Sequence, residues 1–333
     1  EESRRPHNSP TAASEEVKAA EVAVRQRYQD GGARKLQKIV ERESPELGSV
    51  TVSTIQRTLD REGLIEKRDR QRKALKRFER SAPNELWQMD FKGPQGFNKP
   101  SGPLSMLDDN SRFLVVLKAM RTTTAVEVQA AMRAAFEEYG VPQQILVAHG
   151  KPWYDANAWG WTQLTIWAAW QGIWMVFSGI GHPQTQGKVE RMHGALQAAI
   201  RKRKPNPDQA WLDAFRYEYN HVRPHEGIGM KTPDSRWQPS PRKFNPNPKE
   251  WDYPSGWEVV RLGDEGQFRF RGRRWEVSGA LRQQRVGLLV QDNRVLIHYC
   301  TLPIREIDLD KKVNIALAGN PFHQLALLHQ QLG

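Results

Sequence analysis

Residues 145–153, ILVAHGKPW, run from a buried strand into a loop. Ile145, Leu146 and Val147 form a short apolar run, and Gly150 and Pro152 break it. The residue at the tip of this strand is Ala148. Strand tips in α/β folds are where ligands and catalytic groups collect, yet alanine offers no chemistry.

Outward from that tip, residues 84–240 read as strands and helices in alternation. NELWQMDFKGP opens with a strand, and GPLSMLDDNSRFLVVLKAM gives two more around the turn signal Asp108-Asp109-Asn110. TTAVEVQAAMRAAFEEYG is a helix closed by Gly140, and PQQILVA is the fourth strand. The Trp-rich WGWTQLTIWAAWQG predicts a helix, IWMVFS a fifth strand, and QGKVERMHGALQAAIRKRK a long helix with a basic end that suits the helix dipole. Three strands, helix, strand, helix, strand, helix is a mixed sheet covered by helices.

Upstream, about 12–80, three short helices are expected. The first has Ser14 as N-cap and Gly31 as stop. The third is SVTVSTIQRTLDREGL, with Val52, Ile55 and Leu59 on one face, Thr51 or Ser53 as cap and Gly63 as terminator. Tight turns between them, with Thr54, Gln56, Arg57 and Arg61 facing outward, suit a helix-turn-helix in a DNA groove. Downstream, GWEVVRL, GQFRFRG, RRWEVS, VGLLVQ and RVLIHYC are short strands separated by turn signals, the pattern of a small all-β barrel. The expected boundaries are 12–65 for the helix-turn-helix, 66–83 for a basic linker, 84–240 for the core, 241–255 for a Pro-rich linker, 256–310 for the barrel and 311–333 for a tail. There are no internal repeats.

Composition narrows the function. The chain of 333 residues is 38% hydrophobic, 26% charged and carries a net charge of +12. The charge is clustered. REGLIEKRDRQRKALKRFER (61–80) sets nine Lys/Arg against four acids, with Arg68, Arg70, Arg72 and Lys73 at its centre. RKRK (201–204) and RFRGRR (269–274), which includes Arg271 and Arg273, are two more clusters. Such runs imply a polyanionic partner, usually nucleic acid, held at its phosphates, and the helix-turn-helix reading points to double-stranded DNA. No apolar run reaches membrane-span length, so no membrane partner is expected. The polar N-terminus lacks a signal-peptide core and an initiator Met, so the chain is expected to be processed or cut from something longer. One cysteine, Cys300, excludes an internal disulfide and a multi-Cys zinc site, and reads as a packed strand residue. His182, His221 and His225 have no zinc-ligand spacing with it. A reducing, cytoplasmic (nucleoid-associated) setting is expected.

Two acids stand out. In WQMDF, Trp87, Met89 and Phe91 alternate with Gln88 and Asp90, so Asp90 faces away from the apolar side. Glu190 lies on the last long helix. A strand carboxylate and a helix carboxylate converging among basic residues suit Mg²⁺ (or Mn²⁺) chemistry on phosphates, with two ions activating the attacking oxygen and stabilising the leaving one.

SGIGHPQTQGKVERMHGAL followed by YNHVRPHEGIGMKTP, with WQMDF and LDDNSRFLVV before them, strongly resembles the integrase core of bacterial insertion-sequence transposases. These are relatives of retroviral integrase in the ribonuclease-H-like DDE superfamily. The resemblance covers about 84–240. It implies a multidomain protein: an all-α N-terminal helix-turn-helix, a central α/β ribonuclease-H-like mixed sheet with helices, and a C-terminal small all-β barrel. The family's first Asp falls on Asp90 and its Glu on Glu190. Its second Asp falls on Ala148. Asp155 is a rival by its spacing from Glu190, but it sits past Pro152 in the loop.

The resemblance implies a DNA transposase that cleaves element ends and joins them to target DNA without a covalent intermediate, working as a homo-oligomer, at least a dimer on DNA. Ala148 implies that this chain binds DNA but is impaired in catalysis, either engineered to trap a complex or naturally repurposed as a DNA-binding regulator. A ribonuclease H-type nuclease would need neither flanking domain. Lys188, Arg191 and His193 around Glu190, and Gln184, Gln186 and Gly187 at the approach to its helix, are expected to meet DNA. His149 is either near the scissile phosphate or a loop filler. Asp108 is expected to form a turn, and Arg223 and His225 to tie the helix after the site to its loop.

Overall fold

In a computed structural model, the structure describes residues 13–65, 79–97, 102–178 and 186–317. The centre of the basic run, with Arg68, Arg70, Arg72 and Lys73, lies outside the described residues, as do His182, Gln184 and the end of the tail.

The alternation read from the sequence builds the central layer. Strands β1 (Leu86–Phe91), β2 (Pro103–Asp108), β3 (Leu114–Ala119), β4 (Gln144–Val147) and β5 (Trp174–Phe177) form one sheet in the order β3-β2-β1-β4-β5. The first three pair antiparallel through short connections. β4 pairs parallel with β1 and β5 parallel with β4, which requires crossovers, and helices α4 (Ala125–Tyr139) and α5 (Gln163–Trp170) supply them. Trp87, Met89, Ile145 and Val147 point to the face packed by Val128, Met132 and Phe136 of α4. Helices α6 (Gly187–Arg203) and α7 (Gln209–Tyr217) close the opposite face through Val189, Met192, Leu196, Leu212 and Phe215. The sequence reading had no α7. It continues into one π-helical turn, Glu218–Val222, whose Asn220 pairs with the backbone of Leu114 on β3 through both its amide groups.

Upstream, helices α1 (Glu15–Arg27), α2 (Ala33–Glu43) and α3 (Val52–Arg61) pack Leu36, Ile39, Val40, Ile55 and Leu59 into a small core. Ser14 and Thr51 cap α1 and α3 as expected. The α2–α3 connection is not a tight turn. It spans 44–51 and includes a short 3₁₀ turn at Pro45–Leu47, longer than the three or four residues of the usual motif. The segment docks on the core through Asp30, whose carboxylate is fully buried between Arg203 and Arg223. Arg223 therefore ties the core to the helical segment, not a helix to its own loop. His225 does the latter: its Nε2 lies 3.2 Å from the Tyr219 carbonyl.

Downstream, strands β6 (Glu258–Arg261), β9 (Arg285–Gln291), β10 (Arg294–Tyr299), β11 (Leu302–Asp308) and β12 (Val313–Ala316) form an antiparallel sheet in the order β12-β11-β10-β9-β6. β7 (Gln267–Phe270) and β8 (Arg273–Glu276) pair only with each other. Among the described residues these pairings do not show a closed barrel, and β12 falls where a tail was expected. Cys300 is buried, but in the turn after β10 at φ 52° rather than within a strand, and burial pushes its thiol up to about 12.

The Pro-rich 241–255 is not a free linker. Trp237, just ahead of it, stacks on Phe113 with centroids 4.6 Å apart. Arg242 donates to the carbonyls of Pro142, Gln171 and Gly172 at 2.6–2.8 Å. At Gly140, φ is +79° and an added Cβ would lie 2.5 Å from the Ser240 carbonyl, so only glycine admits the strap there. Tyr253 then bonds the carbonyls of Arg285 and His298 in the C-terminal sheet.

Candidate active site

The β1–β4 register places the two strand positions side by side. Leu86, Trp87 and Gln88 lie opposite Gln144, Ile145 and Leu146, and continuing that register sets Asp90 beside Ala148 on the same face. Ala148 directly follows the last residue of β4 and is half-buried. Glu190 is in the first turn of α6, exposed, on the helix that crosses this face. The Asp90 carboxyl is pushed up to about 6. Burial is the main cause, the backbone N–H of Phe91 opposes it, and the negative charge of Glu190 adds to it. The charge of Glu190 thus reaches Asp90 across the face.

Asp155 lies in the loop after β4. Its Oδ1 accepts from the Asn157 N–H at 3.0 Å, capping a short turn. Among the described residues, no group of three or more His, Cys, Asp or Glu side chains could hold a metal ion. Asp90 and Glu190 fit a hard cation by donor chemistry, and position 148, beside Asp90, carries no carboxylate.

His193, three residues past Glu190, faces inward rather than to DNA. Its Nε2 lies 3.0 Å from Ser105 Oγ and its Nδ1 3.9 Å from Asp90 Oδ2. Ser105 is the cross-strand partner of Asp90. Burial, helped by Lys92, pulls His193 down to about 4, so the ring is neutral. The order Ser–His–Asp is that of a hydrolytic triad, but Ser105 is wholly buried and no substrate reaches it.

Lys188 also departs from expectation. Its ammonium points into the protein and pairs with Asp109 Oδ1 at 2.5 Å. Burial pulls it down to about 8 against the attraction of Asp109. Gln186 is buried too. Arg191, beside Glu190, is exposed. Asp108 forms the turn as expected, accepting from the N–H and hydroxyl of Ser111 and from the Asn84 N–H. Asp109 and Gln88 were not anticipated. The only signal was a second acid in LDDNSR and a polar residue inside an apolar strand. The half-buried His149 ring packs against Tyr154 and Phe177, with centroids 4.7 and 5.5 Å apart.

Of the remaining expected DNA contacts, Gln56, Arg57 and Arg61 are exposed on α3, and Thr54 is half-buried at its start. Arg271 and Arg273 are exposed at the β7–β8 tip, each guanidinium 5.4 Å from a ring centroid, of Phe270 and Trp275 respectively.

The Trp-rich segment between β4 and α6 has a use not visible in the sequence. Trp161, Ile166 and Ala169 belong to the core of the C-terminal sheet, and Trp170 Nε1 donates to the Tyr299 hydroxyl at 2.5 Å. This stretch between Ala148 and Glu190 thus forms a socket for that sheet.

Among solved structures, the chain is similar to the HTLV-2 integrase catalytic core domain in complex with magnesium, dimeric form (18% identity, 47% of this chain and 97% of that one, TM-score 0.36). It is also similar to a simian T-cell lymphotropic virus intasome in complex with PP2A regulatory subunit B56 gamma (16%, 83% and 91%, 0.45). A third is the catalytic core domain of BIV integrase (22%, 46% and 92%, 0.36). Two family models, both described as integrase core domain, match residues 80–183 and 171–233. The central part of this chain carries an integrase core domain.

Proposed function

We propose that this chain is a DNA transposase of the insertion-sequence type, silenced at one metal ligand. The observation that carries the reading is the register that sets Ala148 beside Asp90, with Glu190 on the helix across the same face. In an active form, Asp90, an acid at position 148 and Glu190 would hold two divalent ions, Mg²⁺ or Mn²⁺. Bound there, the ions would supply activation of the attacking oxygen and charge stabilisation of the leaving one. The chain's own residues do the rest. The outward face of α3, with Gln56, Arg57 and Arg61, reads the terminal repeat. The β7–β8 tip and the basic run 66–83 grip phosphates without reading sequence. Two ends are paired in a homo-oligomer before joining.

The test is strand transfer of pre-cut element-end DNA with Mg²⁺, comparing this chain with Ala148→Asp. The Ala148→Asp protein joins ends and the parent does not. If neither joins ends while both bind end DNA, the transposase reading fails. The second reading, favoured by Ala148 itself, then takes its place: a repurposed transposase acting as a sequence-specific DNA-binding regulator.

A further inference from the structure

Helix α6 carries Glu190 but brings no side-chain cap of its own, since Gln186 at its N-cap makes no capping bond. The first amides of a helix have no acceptor within it. Here the Val189 N–H donates to Gln88 Oε1 of β1, at 3.2 Å. Gln88 is two residues before Asp90 on the same face of the strand, and Val189 directly precedes Glu190. One hydrogen bond therefore joins the strand of the first acid to the helix of the other, within two residues of each.

The orientation of Gln88 is fixed from behind. Its Nε2 donates to Asp109 Oδ1 at 2.8 Å. A carboxylate only accepts, so the amide NH₂ must face Asp109, and Oε1 is left for Val189. Asp109 is wholly buried. It is held by Lys188 Nζ at 2.5 Å and, through Oδ2, by the Arg80 N–H at 2.8 Å. Lys188 is itself in the first turn of α6, so Asp109 tethers the helix a second time, and Lys188 Nζ also reaches the Asp109 carbonyl at 3.1 Å. The adjacent Asp108 already closes the 108–112 turn, so the turn does not need Asp109. A buried ion pair is weak evidence of stability and better evidence of fixed register.

We propose that Gln88, oriented by Asp109, caps α6 and sets the approach of Glu190 to Asp90, so that Gln88 and Asp109 are positioning residues of the site. The inference rests on the reading of Asp90 and Glu190 as metal ligands. Partners that orient a ligand typically change metal affinity about 10–100-fold when removed.

The test uses the full chain, both as it stands and with Ala148→Asp, comparing Gln88→Leu with Val128→Ala, a core variant in α4 that also lowers thermal stability. Mn²⁺ affinity is read by electron paramagnetic resonance, and exchange of the Val189 amide by hydrogen–deuterium exchange. Gln88→Leu is expected to weaken Mn²⁺ binding about tenfold or more and to speed Val189 exchange, whereas Val128→Ala does neither. Equal Mn²⁺ affinity in the two variants, or unchanged Val189 exchange in Gln88→Leu, overturns the proposal. If neither parent binds Mn²⁺, the metal reading fails and Val189 exchange alone decides whether Gln88 holds the helix.

Discussion

Helix α6 is fastened at both ends by a buried aspartate, and the two fastenings differ in kind. At its start, Lys188 meets Asp109 within the core, beside the candidate site. At its end, Arg203 meets Asp30 of the helical segment at 2.8 Å and Glu218 at 2.7 Å, and Arg223 shares Asp30. The lysine is a point charge whose burial outweighs the pull of its partner. The arginine is a fork, and its hydrogen bonds to Glu218 hold it above its usual range. The end is thus a strong clasp between two parts of the molecule. The start is a costly contact that makes sense as placement of the neighbouring residues.

Lys188→Met should have the largest effect on this contrast. It leaves the wholly buried Asp109 without its cation and should lower unfolding stability by about 3–5 kcal/mol, read by denaturant titration at neutral pH. A loss under about 1 kcal/mol, the range of a surface pair, would mean the start of α6 is not held by the pair. Arg203→Lys comes next. It keeps the charge and loses the fork, so about 1–3 kcal/mol is expected, with no change in Mn²⁺ affinity. A parallel fall in Mn²⁺ affinity would erase the distinction between the two ends.

The third effect has the opposite sign. Asp90, pushed up to about 6, starts from about 3.9 in the unfolded chain. Its ionisation is harder in the fold, so it is neutral in effect below both values. It lowers stability progressively as pH rises from about 4 to 6, and the full loss persists above. Asp90→Asn should therefore raise the melting temperature near pH 7 and leave it unchanged near pH 3. An equal gain at both pH values would show that the carboxyl does not titrate as described.

The central fold was legible because its signals are local. Alternation in WQMDF put Trp87 and Met89 in one core and Asp90 on the other face. Apolar runs bounded by glycine and proline located β4 and β5, and Ser14 and Thr51 announced their helices. Of the candidate site, the alternation gave the face on which Asp90 lies and the apolar run gave the end of β4 just before Ala148. What was missed depends on partners distant in sequence. Lys188 and His193 looked like a basic helix face, and only the packing of α6 on β1 and β2 turns them inward to Asp109 and Ser105. Gln88 has no local signature as a cap, because the helix it caps begins about a hundred residues later. The tryptophans before α6 read as a helix, but their partner Tyr299 lies in another sheet. Prolines made 241–255 look like a spacer, and the three carbonyls that Arg242 collects belong to two other connections.

That strap bears on the thermodynamics of any duplex held by the core and the β7–β8 tip together. A slack tether loses conformational freedom when both of its ends are engaged, and the loss is subtracted from affinity. Here the segment from Trp237 to Tyr253 is already immobilised against core and sheet by folding. The two surfaces would meet such a ligand as one pre-ordered template, with the separation of their contacts set by the protein rather than by the DNA.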